Sequence, residues 1–181
     1  MARRKRVRGS LPLTLATKVT MGRIAMAIGL APVLLLAPPW YGVFILLMIA
    51  ATDVLDGHLA RRRGEVTALG AALDPIADKL VAIAALSAYI ADGRIEGIHL
   101  IPALAILFRE ALVAGLREAA AGKVALPVSR AAKLKTALQF VAFSILAVPQ
   151  AASVGLALLW VAGGLTLITG GSYLRLFVQK L

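Results

Sequence analysis

Six long apolar runs, separated by short polar or turn-forming breaks, make up most of the chain. They cover residues 20–37, 40–60, 69–91, 98–120, 131–148 and 152–177. A helix needs about 20 mostly apolar residues to cross the hydrocarbon core of a bilayer, and each run is close to that length. The breaks carry turn chemistry, as at Pro38-Pro39 and Asp92-Gly93. The pattern predicts an all-α integral membrane protein, a bundle of six transmembrane helices.

The first 19 residues depart from this pattern. Residues 1–9 (MARRKRVRG) form a basic tail, and residues 10–18 have the mixed polarity of a short helix that lies on a membrane surface. We therefore expect two regions. Residues 1–19 are a basic tail with an interfacial amphipathic segment, and residues 20–181 are the six-helix transmembrane domain.

The composition also favours a membrane protein. Of the 181 residues, 60% are hydrophobic, and the mean hydropathy of +0.87 is high for a soluble domain. The absence of cysteine excludes disulfides, thiolate metal sites and cysteine nucleophiles. The net charge is +11. Because the basic residues flank apolar runs, they indicate contact with the anionic headgroups of a lipid bilayer and no binding of nucleic acid.

The basic residues are distributed unevenly between the two sides of the predicted bundle. On the side of the N-terminus, the connectors contain Arg61, Arg62, Arg63, Lys123, Arg130, Lys133 and Lys135. The connectors on the opposite side contain Arg94 alone. Since Lys and Arg accumulate in cytoplasmic connectors, we expect both termini and the functional site on the cytoplasmic side. The protein would be a multi-pass protein of a bacterial inner membrane.

Four of the nine acidic residues lie close together in the chain, among apolar residues where a carboxylate is costly. Asp53 and Asp56 are three apart and Asp74 and Asp78 are four apart, so each pair shares one helix face. A short turn joins the two helices and brings the pairs together. Four close carboxylates repel one another unless divalent cations lie between them, and oxygen ligands favour Mg²⁺ or Mn²⁺. Since Mg²⁺ often completes its shell with phosphate oxygens, the site predicts a phosphate-bearing substrate.

The same aspartates admit two other interpretations. They can form buried ion pairs with Arg61, Arg62 and Lys79, although four acids at paired helical spacing exceed what such pairs need. A divalent-cation transporter also uses intramembrane carboxylates, but tends to place them near the midplane on broken helices in matching halves. Here all four belong to one predicted helical hairpin.

A longer pattern, D-x2-D-G-x2-A-R-x8-G-x3-D-x3-D, begins at Asp53 and ends at Asp78. It resembles the signature of the CDP-alcohol phosphotransferases. The resemblance implies a two-metal centre of Mg²⁺ or Mn²⁺, held by Asp53, Asp56, Asp74 and Asp78. It implies a cytidine-diphosphate pocket formed by Asp53, Gly57, Ala60, Arg61 and Gly70. It also implies that Asp78 is the general base that takes the proton of the attacking alcohol, with CMP as the leaving group.

The second half of the chain narrows the choice of acceptor alcohol. Residues 109–118 and 133–136 resemble the phosphatidylglycerophosphate synthases of this family. Their basic residues are Arg109, Arg117, Lys133 and Lys135. A cationic pocket beside an anionic metal site suits an acceptor that has its own phosphate. We therefore expect transfer of the phosphatidyl group from CDP-diacylglycerol to sn-glycerol 3-phosphate in phospholipid biosynthesis, and the resemblance also implies a homodimer.

Alternatives within the family are phosphatidylinositol-phosphate synthesis and cardiolipin synthesis. The sequence departs from the family at Ala16-Thr17, where members often have Pro-Asn, so we assign no substrate contact to these positions. A local ion pair between Arg109 and Glu110 would compete with the acceptor role of Arg109. Adjacent residues on a helix do not face each other, and we therefore expect no such pair.

Overall fold

The computed structural model describes residues 15–63, 68–119 and 130–180, except for the side chains of 15–16, 53–63, 68–72, 74, 117–119, 130–133, 176, 178 and 180. The described residues form six α-helices and contain no strand. The helices are α1 (Leu15–Leu36), α2 (Pro39–Arg63), α3 (Ala68–Ala91), α4 (Leu100–Ala119), α5 (Arg130–Leu146) and α6 (Ala152–Lys180). Single 3₁₀ turns, Gly97–His99 and Pro149–Ala151, lead into α4 and α6.

Helix length and composition confirm the predicted all-α membrane fold. Three described stretches are long and apolar enough to cross a membrane: Thr17–Leu36, Gly97–Leu116 and Pro149–Arg175. Pro39–Thr52 and Leu134–Leu146 are shorter apolar stretches. The helix ends lie within a few residues of the predicted runs. The largest difference is at α1, which begins at Leu15 and so takes in the end of the region that we expected to be tail and interfacial segment.

The helices pack in two groups of three that meet along the centre of the bundle. α1 packs against α2 and α3, and α6 packs against α4 and α5; contacts of α2 with α5 and of α3 with α4 join the two groups. The buried core is aliphatic, with Leu30, Leu86 and Ile106 fully enclosed. Large apolar side chains such as Phe44 and Phe108 are exposed on the outside of the bundle. A bilayer covers such a surface with acyl chains, so an apolar exterior is expected here.

One end of the bundle, which we call the turn end, holds residues 37–38, 92–99 and 147–151. Arg94, in the connection after α3, donates hydrogen bonds from Nη1 to the carbonyl oxygens of Leu146 (2.9 Å) and Ala147 (3.1 Å) at the end of α5. The last carbonyls of a helix have no intrahelical donor, and the guanidinium supplies one. Below this contact, the buried Tyr89 hydroxyl donates to the carbonyl oxygen of Phe143 at 2.6 Å. Together these bonds tie α3 and its connection to α5.

Glycines on α6 allow its close approach to neighbouring helices. A Cβ atom at Gly163 would lie 2.7 Å from Cβ and 3.0 Å from Cα of Pro102 on α4. At Gly170, a Cβ atom would lie 3.0 Å from Cγ of Arg109, so the stem of this arginine lies directly on the α6 backbone. The next residues, Gly164 and Gly171, are exposed and have no atom within 4 Å of such a Cβ position. One face of α6 is therefore fitted to α4.

Buried polar side chains lie in the other half of the bundle, which we call the polar end. They are Thr17, Thr20, Arg23, Lys135, Gln139, Thr166 and Thr169. They come from the first half of α1, the first ten residues of α5, and the middle and second half of α6, which the alternating helix directions place towards the same end. Buried polar groups require hydrogen-bonding partners, so this half of the bundle is built around polar interactions and the turn end around apolar packing.

Candidate active site

A cavity of about 180 Å³ lies between α3 and α4 towards the polar end. Its walls are Pro75, Asp78, Lys79, Arg109, Glu110, Val113 and Ala114. The charged residues come from both helices, and each pair is adjacent in sequence, so the cavity has acidic and basic groups on both walls. At roughly 30 Å³ per water molecule, its volume is that of about six waters. It therefore has room for a small polar headgroup.

Asp78 on α3 is paired with Arg23 on α1. Nη1 of Arg23 donates to Oδ1 of Asp78 at 3.2 Å. The arginine side chain is fully buried, whereas the aspartate side chain is 48% exposed. The buried guanidinium thus holds one edge of a carboxylate whose other surface reaches the cavity.

Arg23 was not among the residues predicted for the site. It is the only charged residue in the apolar run 20–37, and a charged residue inside a membrane segment usually has a functional or pairing role. This isolated charge in the sequence therefore indicates that Arg23 has a buried partner or a functional role. Its partner, 55 residues away on another helix, is revealed by the fold.

Arg109 and Lys135 are both bound to Glu110. Nη1 of Arg109 donates to Oε1 of Glu110 at 3.0 Å, and Nζ of Lys135 on α5 donates to the same oxygen. The side chains of Arg109 and Lys135 are 12% and 2% exposed, so both cations are held inside the bundle. Since two positive charges share one negative charge, the cluster is positive overall.

The expectation that Arg109 would not pair with Glu110 is wrong. The rule that adjacent helical positions do not face each other describes the directions in which side chains leave the helix surface. Arg109 has a long stem that lies against Gly170, and Glu110 extends towards Lys135 on α5. The guanidinium can therefore reach the carboxylate beyond the helix surface.

The cavity combines the groups that phosphate chemistry needs. Asp78 offers carboxylate oxygens for a proton or a hard cation, and Arg109 with the nearby Lys135 offers charge for an anion. The larger groove at the turn end, about 760 Å³ beside Trp40 and Phe44, is lined by apolar and aromatic residues. It has little to recognise a phosphate. The chemistry of the described residues is therefore concentrated between α3 and α4.

Comparison with protein families gives this arrangement a context. The model of the CDP-alcohol phosphatidyltransferase family matches residues 13–168, which is most of the chain and includes every helix that lines the cavity. The chain belongs to the CDP-alcohol phosphatidyltransferase family. It is therefore a transferase, and the resemblance of the motif from Asp53 to Asp78 is confirmed at the level of the family.

Individual relatives agree in sequence and in fold. A CDP-diacylglycerol–glycerol-3-phosphate 3-phosphatidyltransferase of Rickettsia typhi is 43% identical over 142 residues, which cover 74% of this chain and 78% of the relative. Phosphatidylinositol phosphate synthase of Mycobacterium tuberculosis with CDP-DAG bound has 23% identity and a TM-score of 0.65, over 92% of this chain and 87% of that one. The same synthase in complex with manganese and citrate has 21% identity and a TM-score of 0.60, over 90% and 80% of the two chains. Both structures of the Mycobacterium tuberculosis synthase have the same fold as this chain.

Of the predicted site residues, Asp78 and Arg109 line one cavity, and Lys135 joins them through Glu110. The remaining ones have side chains outside the described part of the structure: Asp53, Asp56, Gly57, Ala60, Arg61, Gly70, Asp74, Arg117 and Lys133. The backbone at each of these positions is helical, as the spacing argument for the aspartates requires. Their roles stay predictions.

Proposed function

We propose that this protein transfers the phosphatidyl group of CDP-diacylglycerol to sn-glycerol 3-phosphate, giving phosphatidylglycerol phosphate and CMP. The observation that carries the proposal is that Asp78 and Arg109 line the same cavity, and that Lys135 is bound to Glu110 in the wall of that cavity. A base and a cationic anchor on facing walls suit an acceptor that has a hydroxyl to activate and a phosphate to bind. The name of the Rickettsia typhi relative supports the same reaction.

In the proposed reaction, the C1 hydroxyl oxygen of glycerol 3-phosphate attacks the phosphorus that carries the diacylglycerol. A new phosphorus–oxygen bond forms there, and the bond from this phosphorus to the bridging oxygen breaks, so that CMP leaves with the bonding electrons. Asp78 accepts the hydroxyl proton. Arg23 orients the carboxylate through the 3.2 Å bond to Oδ1 while Asp78 stays exposed to the cavity. A base must lie within hydrogen-bond reach of the proton that it takes, and the carboxylate of Asp78 is accessible to a hydroxyl bound in the cavity.

The carboxylate of Asp78, the proposed metal ligand whose side chain the structure describes, is chemically suited to a divalent cation. Asp78 presents a hard carboxylate oxygen to the cavity, which suits Mg²⁺ or Mn²⁺. We propose that Asp53, Asp56 and Asp74 complete a two-metal centre with Asp78. When bound, such metals neutralise charge on the transferring phosphoryl group and align the attacking and leaving oxygens. The manganese complex of the Mycobacterium tuberculosis synthase supports the use of a divalent metal.

The remaining residues of the proposal bind the two substrates. For the cytidine diphosphate part they are Asp53, Gly57, Ala60, Arg61 and Gly70. For the acceptor phosphate they are Arg109, Arg117, Lys133 and Lys135. Small residues at 57, 60 and 70 would let a nucleotide approach the helix backbones closely, and the arginines and lysines would hold phosphate oxygens.

We also propose a placement in the membrane. All six helices cross the bilayer, both termini and the polar end face the cytoplasm of a bacterial inner membrane, and the basic tail that precedes α1 lies at the membrane surface. The excess of Lys and Arg on that side supports this orientation. CDP-diacylglycerol would enter from the bilayer between helices, and the protein would act as a homodimer, as the family resemblance implies.

An assay of the purified protein with CDP-diacylglycerol tests the reaction. We expect release of CMP with Mg²⁺ or Mn²⁺ when glycerol 3-phosphate is present, and loss of that release when EDTA removes the metal. Inositol phosphate, phosphatidylglycerol and serine are offered in parallel reactions. Faster CMP release with one of these three acceptors would contradict glycerol 3-phosphate as the acceptor. Absence of CMP release with all four acceptors would contradict the proposed transferase reaction.

A further inference from the structure

We infer that Glu110 is a positioning residue of the acceptor site, which keeps Arg109 and Lys135 close enough together to hold one phosphate group. The inference rests on the proposed function, because it concerns the same acceptor site. Glu110 belongs to the cavity wall but has no part in the motif from Asp53 to Asp78. In the structure it binds Arg109 and Lys135, the two cations that we propose for the acceptor phosphate.

The geometry of the three side chains is restrictive. Arg109 and Lys135 donate to the same atom, Oε1 of Glu110, and both bonds are within hydrogen-bonding distance. The two nitrogen atoms are therefore less than about 6 Å apart. That separation allows both cations to contact oxygens of a single tetrahedral phosphate. Lys135 belongs to α5 and Arg109 to α4, so the carboxylate joins the cationic groups of two helices.

Electrostatics explain why a carboxylate is needed at this position. Two positive charges at such a distance repel each other, and the repulsion is strong in an interior from which water is excluded. Lys135 is 2% exposed and cannot be screened by solvent. One shared negative charge offsets this repulsion and still leaves the cluster positive. An anionic acceptor is thereby attracted to a pair of cations that is already assembled.

A purely structural ion pair would leave a different signature. If Glu110 only compensated the buried charge of Lys135, its loss would lower the stability of the bundle and the apparent kcat, through the amount of folded enzyme, and would leave both KM values unchanged. A positioning residue raises KM for the acceptor specifically. KM for CDP-diacylglycerol, which binds through other residues, would stay nearly constant.

Glu110→Gln, Glu110→Asp and a control variant provide the test. For Glu110→Gln we expect KM for glycerol 3-phosphate to rise by about tenfold or more, with KM for CDP-diacylglycerol changed by less than about threefold. Glu110→Asp keeps the charge and should recover part of the acceptor affinity. Glu96→Gln is the matched control, because Glu96 is exposed at the turn end and its side chain forms no cap hydrogen bond. Thermal unfolding of each variant in detergent measures the folded fraction.

The outcomes separate this inference from the proposed function. An unchanged or lower KM for the acceptor in folded Glu110→Gln overturns the inference alone. If Glu110→Gln does not fold, Glu110→Asp decides by the same criterion, with an expected rise of a few-fold. If the wild type does not use glycerol 3-phosphate, the proposed function fails, and binding of radiolabelled inorganic phosphate is compared in the same proteins. Weaker binding by the Glu110 variants then supports the inference, and equal binding overturns it.

Discussion

At the scale of single residues, the pair of Arg23 and Asp78 shows how a costly charge can be made useful. An arginine at the centre of a membrane helix costs about 2.5–3.5 kcal/mol in insertion experiments, and the cost falls towards the helix ends; Arg23 lies in the first half of α1, towards the polar end. Arg23 is fully buried and bound to Asp78, so part of this cost is offset by an ionic hydrogen bond. The half-exposed partner is Asp78, and its bond to Arg23 fixes the orientation of its carboxylate towards the cavity.

Substitution of Asp78 tests the role of this carboxylate. In Asp78→Asn the shape is nearly unchanged but the proton acceptor is lost, so we expect turnover to fall by about 10²–10⁴-fold. The measurement is the rate of CMP release at saturating substrates. Asp92→Asn serves as the control, since Asp92 is paired with Arg94 at the turn end and should keep its turnover. Near-normal turnover of Asp78→Asn would show that another group is the base.

Residue pairings were the part of the site that the sequence predicted least well. Asp78 and Arg109 were recognised from a motif and from a charge inside an apolar run, and both line the cavity. The pairing of Arg109 with Glu110 was predicted wrongly, because the third member, Lys135, comes from another helix. Side-chain length and tertiary neighbours decide such contacts, and neither is contained in helical spacing.

At the scale of helices, length and polarity were sufficient to place the elements. The bilayer requires apolar runs of one characteristic length, and the six runs correspond to α1–α6 with small differences at the ends. Packing was harder to predict. The double glycines of α6 indicate close helix contact but do not tell which of two adjacent glycines makes it. The structure assigns the contact with α4 to Gly163 and leaves Gly164 exposed.

Alanine at these two positions is a matched pair of substitutions. In Gly163→Ala the new Cβ atom would lie 2.7 Å from Pro102, so α4 and α6 must move apart, and we expect a loss of about 1–3 kcal/mol in the free energy of unfolding. Gly164→Ala meets no atom within 4 Å and should be neutral or stabilising by up to about 1 kcal/mol, because alanine favours the helix. Unfolding in mixed micelles measures both. Equal effects would mean that the α4–α6 contact is not as close as described.

At the scale of the whole molecule, the buried polar groups and the apolar packing lie at opposite ends of the bundle axis. The polar end contains the cavity and the buried charges, whereas the turn end holds α3 and α5 together through Arg94 and Tyr89. Such a division lets one half supply rigid packing while the other accepts polar ligands. The direction in which the bundle sits in the membrane then decides which compartment supplies the water-soluble substrate.

Single cysteines can measure this direction, because the chain has none of its own. Glu96 is exposed at the turn end and Gln179 is exposed at the end of α6, on the polar side. In intact cells without an outer membrane, we expect an impermeant maleimide to label Glu96→Cys. Gln179→Cys should react after the membrane is opened. The reverse pattern would place the site on the outer face and contradict the proposed orientation.

The position of the cavity at one end of the bundle also affects how new headgroups are distributed between the two leaflets of the membrane. A phospholipid made there carries charged headgroup atoms, and passage through the apolar half would bury them without hydrogen-bonding partners. The lipid product therefore forms in the leaflet nearest the polar end. Since one CDP-diacylglycerol is consumed for each product, the reaction exchanges headgroups in that leaflet and adds no lipid to it. Supply of the product to the other leaflet requires a separate process that moves its headgroup across. The fold thus makes this step of lipid synthesis inherently one-sided.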